Sequence, residues 1–301
     1  VDGEIFSALE GDLPGLKVAR FAPYLFVLLW STGFVGAKYG LPYADPFIFL
    51  SLRTAVAAVA LLIIAQVTKA PIKLSRGAIS KSMLIGLFLH AFYLGGVFYA
   101  ISQGVPAGVA AVITSVQPVL VSILAVKILG EKLRLIQLAG LFLGLMGVIL
   151  VLGPSFESKV SRVGIAAVFI ALIGSTTATL MQKKFGSQIP MLVGTAYQYL
   201  ATSTVLGIVA VLTSRTHIEF APHFIFALTW LIVVLSVGAV LLLLWLLKNA
   251  TAASVSSLFY LVPPATAIEA YFLFGEKVNT QGFLGIGITA LGVALVMRNT
   301  N

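Results

Sequence analysis

The chain has 301 residues, 59% hydrophobic and 10% charged, with a formal net charge of +9 and a mean hydropathy of +1.07. A soluble domain carries roughly 25% charged residues, so this composition excludes a water-soluble globule and indicates a multi-spanning membrane protein. Zero cysteines exclude a disulfide framework and thiolate metal sites, and the basic residues are scattered between apolar runs, as topology signals rather than a nucleic-acid surface.

Residues 1–20 open polar, with Asp2, Glu4, Glu10 and Asp12. They lack the basic start, apolar run and small-residue cleavage site of a secretory signal, and read as a cytoplasmic tail. Apolar runs follow at about 21–39, 46–66, 82–103, 107–128, 135–152, 163–182, 191–212, 224–247, 252–274 and 280–297. Each is near the roughly 20 residues that a helix needs to cross the bilayer core. The pattern predicts an all-α membrane protein of ten transmembrane helices. The connectors carry turn chemistry in Gly40 and Pro42, Gly104 and Pro106, Gly153 and Pro154, and Gly186 and Pro190.

Residues 104–152 occur twice. Shifted by 145 without a gap they fall on residues 249–297, placing Ala107 on Ala252, Pro118 on Pro263 and Gly130-Glu131-Lys132 on Gly275-Glu276-Lys277. Gly140 falls on Gly285 and Gly147 on Gly292. A second alignment, offset by 144, links Ser31-Thr32 to Ser175-Thr176 and Pro46 to Pro190. The expected domains are two five-helix repeats, residues 21–153 and 163–298. Five is odd, so the second repeat inserts upside down, the arrangement that builds a central site with two exchangeable gates.

With the N-terminus in the cytoplasm, thirteen of the 19 Lys and Arg fall on the inner side and four on the outer. The other two, Lys38 and Arg53, lie within spans. That bias predicts both termini inside.

The stretch from Trp30 through Ser31, Thr32 and Gly33 to Lys38, followed by Pro46, Phe47 and Arg53, resembles the opening of EamA-type members of the drug/metabolite transporter superfamily. The two segments running small residue, Pro, Gly-Glu-Lys and Gly resemble that family's repeated signature. The resemblance covers residues 21–297. It implies ten helices as two inverted five-helix repeats, a cavity lined by both halves, alternating access, and small metabolites such as amino acids as cargo, exported across a bacterial inner membrane. Gly174 stands where Trp30 has its repeat mate, so no tryptophan-based expectation carries to the sixth span.

The candidate site residues lie within these spans. Arg53 is seven residues past Pro46, about 10 Å into its helix. It either snorkels to the interface or forms a buried gating pair. Glu269 is a coupling carboxylate or an anchor. His90 is a neutral, hydrogen-bonded histidine or a protonation switch, with Tyr93 on its face. Trp30 is central in its span and reads as cavity wall or packing. Ser115 and Tyr260 each precede a proline, Pro118 and Pro263, by three residues. Proline frees a carbonyl one turn back, so both pairs are expected at the cavity, against a simple kink. Gln117, Ser175, Thr176 and Gln182 bind substrate or serve as interhelical glue. Thr32, Tyr99 and Trp245 complete the cavity candidates.

An enzyme is the competing class. The three histidines, His90, His217 and His223, form no His-Glu-x-x-His, and the chain has no Walker lysine loop and no Gly-x-Ser-x-Gly elbow. The reading is therefore a cofactor-free, metal-free transporter. Its partners are a small-molecule substrate and the lipid bilayer, and it acts as a monomer or weak homodimer. The first span carries no carboxylate for proton exchange. Coupling then falls to Glu269 or His90, or the protein is an uncoupled facilitator or uptake permease.

Overall fold

The structure, a computed structural model, describes residues 16–105, 110, 113–152, 161–213, 215–274 and 280–297. Within these residues the chain forms helices α1 (Leu16–Gly40), α2 (Pro46–Val67), α3 (Arg76–Ser102), α4 (Gln117–Ile128) and α5 (Leu135–Leu152). Then come α6 (Arg162–Phe185), α7 (Met191–Leu212), α8 (Pro222–Asn249), α9 (residues 252–274) and α10 (Thr280–Met297). No strand occurs among the described residues; one isolated bridge joins Ala44 to Ile218.

Local chemistry sets the helix starts. Pro46 and Pro222 open α2 and α8, where a missing N–H costs nothing. Ser75, Ser161 and Thr251 cap α3, α6 and α9 by accepting the N–H of Ala78, Gly164 and Ser254. Among the described residues six helices are long and apolar enough to cross a membrane, and three shorter apolar helices, Phe21–Gly33, Gln117–Ile128 and Leu135–Val151, lie beside them. α9 is broken into Ala252–Ser257, a 3-10 turn Leu258–Leu261, and Val262–Phe274.

The outer surface is apolar. Leu28, Ile63, Phe142, Met146, Ile173 and Leu284 are each more than half exposed. Contiguous exposure of this kind is costly in water and ordinary in lipid. Polar side chains turn inward, with Arg53, His90, Gln117, Thr179 and Gln198 all buried.

Helix pairing obeys the internal repeat. α5 lies along α10 and α2 along α7, each helix against its own repeat mate. α1 packs on α8 and α9, while α6 packs on α3 and α4, and exchanging each helix for its mate maps one set of pairs onto the other. Glycines permit the closest pair. A Cβ on Gly140 would sit 2.7 Å from the Gly292 carbonyl oxygen, and one on Gly285 would sit 2.7 Å from that of Gly147. These glycines make an intramolecular contact.

The mates α3 and α8 share a further irregularity. Each widens into a π-helical stretch, Leu87–Leu94 and Leu231–Ala239. Shifting the first by 145 residues lands it inside the second. π turns insert an extra residue into a helix face and re-aim the side chains beside it. Here they re-aim His90 and Tyr93 in one half and Leu235 and Ser236 in the other.

Candidate functional site

Two connected cavities occupy the middle of the molecule. The first, about 530 Å³ including its mouth, is lined by Trp30, Leu89, Tyr93, Thr114, Ser115 and Gln117 from one repeat. Ser175, Thr179, Phe259, Val262 and Pro263 complete it from the other. The second, about 740 Å³ with its mouth, shares Trp30, Leu89 and Tyr93 and adds Arg53, His90, Phe98, Ile101, Leu235 and Val240. Together they run from the centre toward the end of the bundle where α1 and α3 finish. Their walls come from α1 to α4 of one half and α6, α8 and α9 of the other.

The central cavity has an aromatic wall and a polar wall. Trp30 packs edge-on against Phe259 with ring centroids 5.3 Å apart, and against Phe26 at 5.2 Å. On the polar side, Gln117 Nε2 donates to Thr179 Oγ1 at 3.1 Å, joining α4 to α6, while Gln117 Oε1 has no partner among the described residues. Ser175 Oγ donates to the Leu172 carbonyl within its own helix. The backbone before both prolines is irregular. Around Val116 the backbone makes short i to i−3 bonds just before Pro118, and the 3-10 turn Leu258–Leu261 precedes Pro263. Irregular backbone at this depth is tolerated only beside protein or a cavity.

Both ends of the bundle are tied across the halves. At the end where α6 and α8 finish, Glu131 Oε1 accepts the N–H of Ala252 at 2.8 Å, capping α9 from the α4–α5 turn. Beside it, within the second half, Lys183 Nζ donates to the carbonyls of Leu247 and Ala250, at 2.8 and 2.5 Å. A carboxylate thus meets a helix N-terminus and an ammonium meets a helix C-terminus, both matched to the helix dipole. At the other end the N–H of Asp45 donates to the His217 carbonyl at 3.0 Å. Asp45 Oδ2 accepts the N–H of His217 at 3.0 Å, and Glu219 N–H donates to the Tyr43 carbonyl at 2.7 Å.

Of the residues singled out by sequence, Trp30, His90, Tyr93, Ser115, Gln117, Ser175, Arg53 and Pro263 are brought together in the cavity walls. Others stand elsewhere. Tyr260 lines neither cavity; its ring lies against Gly144 of α5, and its buried hydroxyl has no partner among the described residues. The 3-10 turn rotates the face of α9, and Phe259 takes the cavity position instead. Thr32 Oγ1 accepts from Trp230 Nε1 at 3.0 Å, tying α1 to α8. Thr176 bonds the Leu172 carbonyl within α6, and Gln182 accepts from Gln198 Nε2 at 3.1 Å. Tyr99 stacks on Phe47 and lies under Arg215 near the end of the bundle. Trp245 packs against the hydrophobic core, and Pro118 is buried in the first turn of α4.

Among the described residues Arg53 has no acidic mate. Its Nε donates to Ser236 Oγ at 2.9 Å. Glu269 lines neither cavity; one oxygen accepts from Ser31 Oγ at 2.5 Å and the other is buried with no partner among the described residues. Phe259, Thr179, Leu89 and Ser236 carry no motif, and sequence reasoning passes over them. Thr179 was findable, since it lies one helical turn beyond Ser175 on the same face.

The geometry agrees with comparisons to known proteins. A solved crystal structure superposes with a TM-score of 0.80, covering 95% of this chain and 98% of its own at 18% identity, which shows the shared fold. The chain is 26% identical over 242 residues to the "Uncharacterized transporter YvbV" of Bacillus subtilis, covering 76% of this chain and 77% of that one. It is 25% identical to a "Probable amino-acid metabolite efflux pump" of Salmonella typhimurium, over 67% of this chain and 65% of that protein. A protein of the same description in Escherichia coli is 27% identical over 54% of this chain and 52% of its own. Residues 21–153 and 162–298 each match the EamA-like transporter family. Two matched repeats, a ten-helix bundle and a cavity between the halves converge, and the chain belongs to the EamA-like transporter family.

Proposed function

We propose that this protein is a secondary exporter of small organic metabolites, amino acids or their relatives, working by alternating access in a bacterial plasma membrane. One observation carries the reading: the central cavity is walled by mated helices of two inverted halves, so rocking one half against the other exposes it to each face in turn. The printed descriptions of the Salmonella and Escherichia coli relatives support amino-acid metabolites as the cargo. Both termini face the cytoplasm, as the Lys and Arg bias supports. A single chain builds the whole cavity, so one copy suffices.

The same walls bear on the energy source. Among the described residues neither cavity is lined by a carboxylate, Glu269 is engaged with Ser31, and of the two coupling candidates His90 alone reaches a cavity wall. This favours exchange driven by the substrate's own gradient. The test is counterflow in proteoliposomes loaded with an amino-acid mixture. Labelled amino acid accumulates against unlabelled substrate, and an imposed pH gradient leaves the rate unchanged. No accumulation for any amino acid would refute the cargo assignment, and acceleration by the gradient would refute the uncoupled mechanism.

A further inference from the structure

Arg53 is 5% exposed in the middle of α2, yet among the described residues no carboxylate pairs with it. Asp45 Oδ2 accepts the N–H of His217, Glu131 Oε1 that of Ala252, and Glu269 the hydroxyl of Ser31. Glu219 lies beyond α7 at the end of the bundle, and its N–H reaches Tyr43. An unpaired cation inside a membrane protein is expensive, and such groups usually mark the path of a substrate or ion.

The surroundings fix this cation rather than neutralise it. Ser236, in the π stretch of α8, accepts Arg53 Nε through its hydroxyl and the Tyr199 hydroxyl through its carbonyl. Tyr199 in turn packs on the His90 ring, with centroids 4.8 Å apart. The guanidinium is therefore held by one edge, and its Nη groups make no hydrogen bond to a described residue. His90 is 2% exposed, lines the same cavity, and its Nε2 has no hydrogen-bond partner among the described residues. The other walls are apolar or aromatic: Leu94, Val97, Phe98 and Leu235, leading to Trp30 and Tyr93.

We propose that Arg53, with His90 beside it, is the carboxylate subsite of this transporter, and that its substrates are small amphiphilic carboxylates whose apolar body extends toward Trp30 and Tyr93. The inference rests on the transporter reading for its physiological meaning. A guanidinium with its Nη edge free matches a carboxylate fork to fork. The cavities hold no carboxylate to receive an amine, so a carboxylate is required of the ligand and an ammonium is not.

The test is binding, separate from flux. Purified protein in detergent is titrated with 3-phenylpropionate, phenylalanine, phenylalaninamide and 2-phenylethylamine, read by quenching of tryptophan fluorescence and checked by calorimetry. The two carboxylates bind wild type, and the amide and the amine bind at least about tenfold more weakly. Arg53→Gln loses about tenfold or more for the carboxylates and nothing for the amine, and Arg53→Lys falls between. Ser236→Ala, which frees the guanidinium without removing it, weakens binding less than Arg53→Gln. Equal binding of amine and carboxylate, no binding of either carboxylate to wild type, or carboxylate affinity that Arg53→Gln leaves unchanged in folded protein would each overturn the proposal. Carboxylate binding without counterflow would uphold the subsite and refute the transport reading instead.

Discussion

At the scale of single residues, the neighbours Phe259 and Tyr260 have opposite fates. Phe259 faces Trp30 in the cavity, and Tyr260 fills the space over Gly144 with its hydroxyl unsatisfied. Phe259→Ala therefore lowers substrate affinity by about tenfold with little loss of stability, because it removes an aromatic wall. Tyr260→Phe removes only a buried polar group that has no partner, so thermal stability holds or rises by up to about 1 kcal/mol. Tyr260→Ala leaves a void and costs about 3–5 kcal/mol. Melting and counterflow on the three variants check this, and a transport defect in Tyr260→Phe at normal stability would contradict the placement. Sequence reasoning found Trp30, Tyr93, Ser115, Gln117 and Ser175 because polar and aromatic side chains deep in a span have few reasons to be there. It chose Tyr260 over Phe259 because helical spacing assumes a regular helix, and the 3-10 turn Leu258–Leu261 breaks that assumption by most of a face.

At the scale of elements, the α5–α10 contact depends on missing side chains. A methyl on Gly140 meets the Gly292 carbonyl oxygen at 2.7 Å, and neither backbone can retreat without parting the helices. Gly140→Val is expected to cost about 1–3 kcal/mol. Gly287 has nothing within 4 Å of its virtual Cβ, so Gly287→Ala is neutral or stabilising by up to about 1 kcal/mol. Thermal unfolding in detergent separates the two; equal effects would mean that glycine content, rather than close approach, governs this pair. The glycine repeat was legible in the sequence, since both copies carry it in register. The π stretches of α3 and α8 were not. Their residues are as apolar as any regular span, and the widening arises from packing against neighbours that sequence does not place.

For the whole molecule, the ten crossings and the half-chain repeat were legible from apolar run length, turn residues and self-alignment, while some ends moved, α3 starting at Arg76 rather than at residue 82. These depend on the bilayer and the backbone rather than on side-chain detail. The registration of the halves was not, because it rests on cross-half ties such as Glu131 to Ala252 and Glu219 to Tyr43, each made to a backbone atom without sequence signature. Ties hold both ends of the bundle in this structure, so under the proposed alternation the contact of Glu131 with Ala252 breaks when one end opens and those of Asp45 with His217 break when the other does. Since the chain has no cysteine, a single Ser115→Cys in the central cavity reports this directly when a membrane-impermeant thiol reagent is applied to one face of the membrane at a time. The account predicts labelling from either face, with no labelling of Ile123→Cys, a lipid-facing α4 residue that is 48% exposed. Labelling of Ser115→Cys from one face alone, whatever substrate is supplied, would contradict alternating access through this cavity.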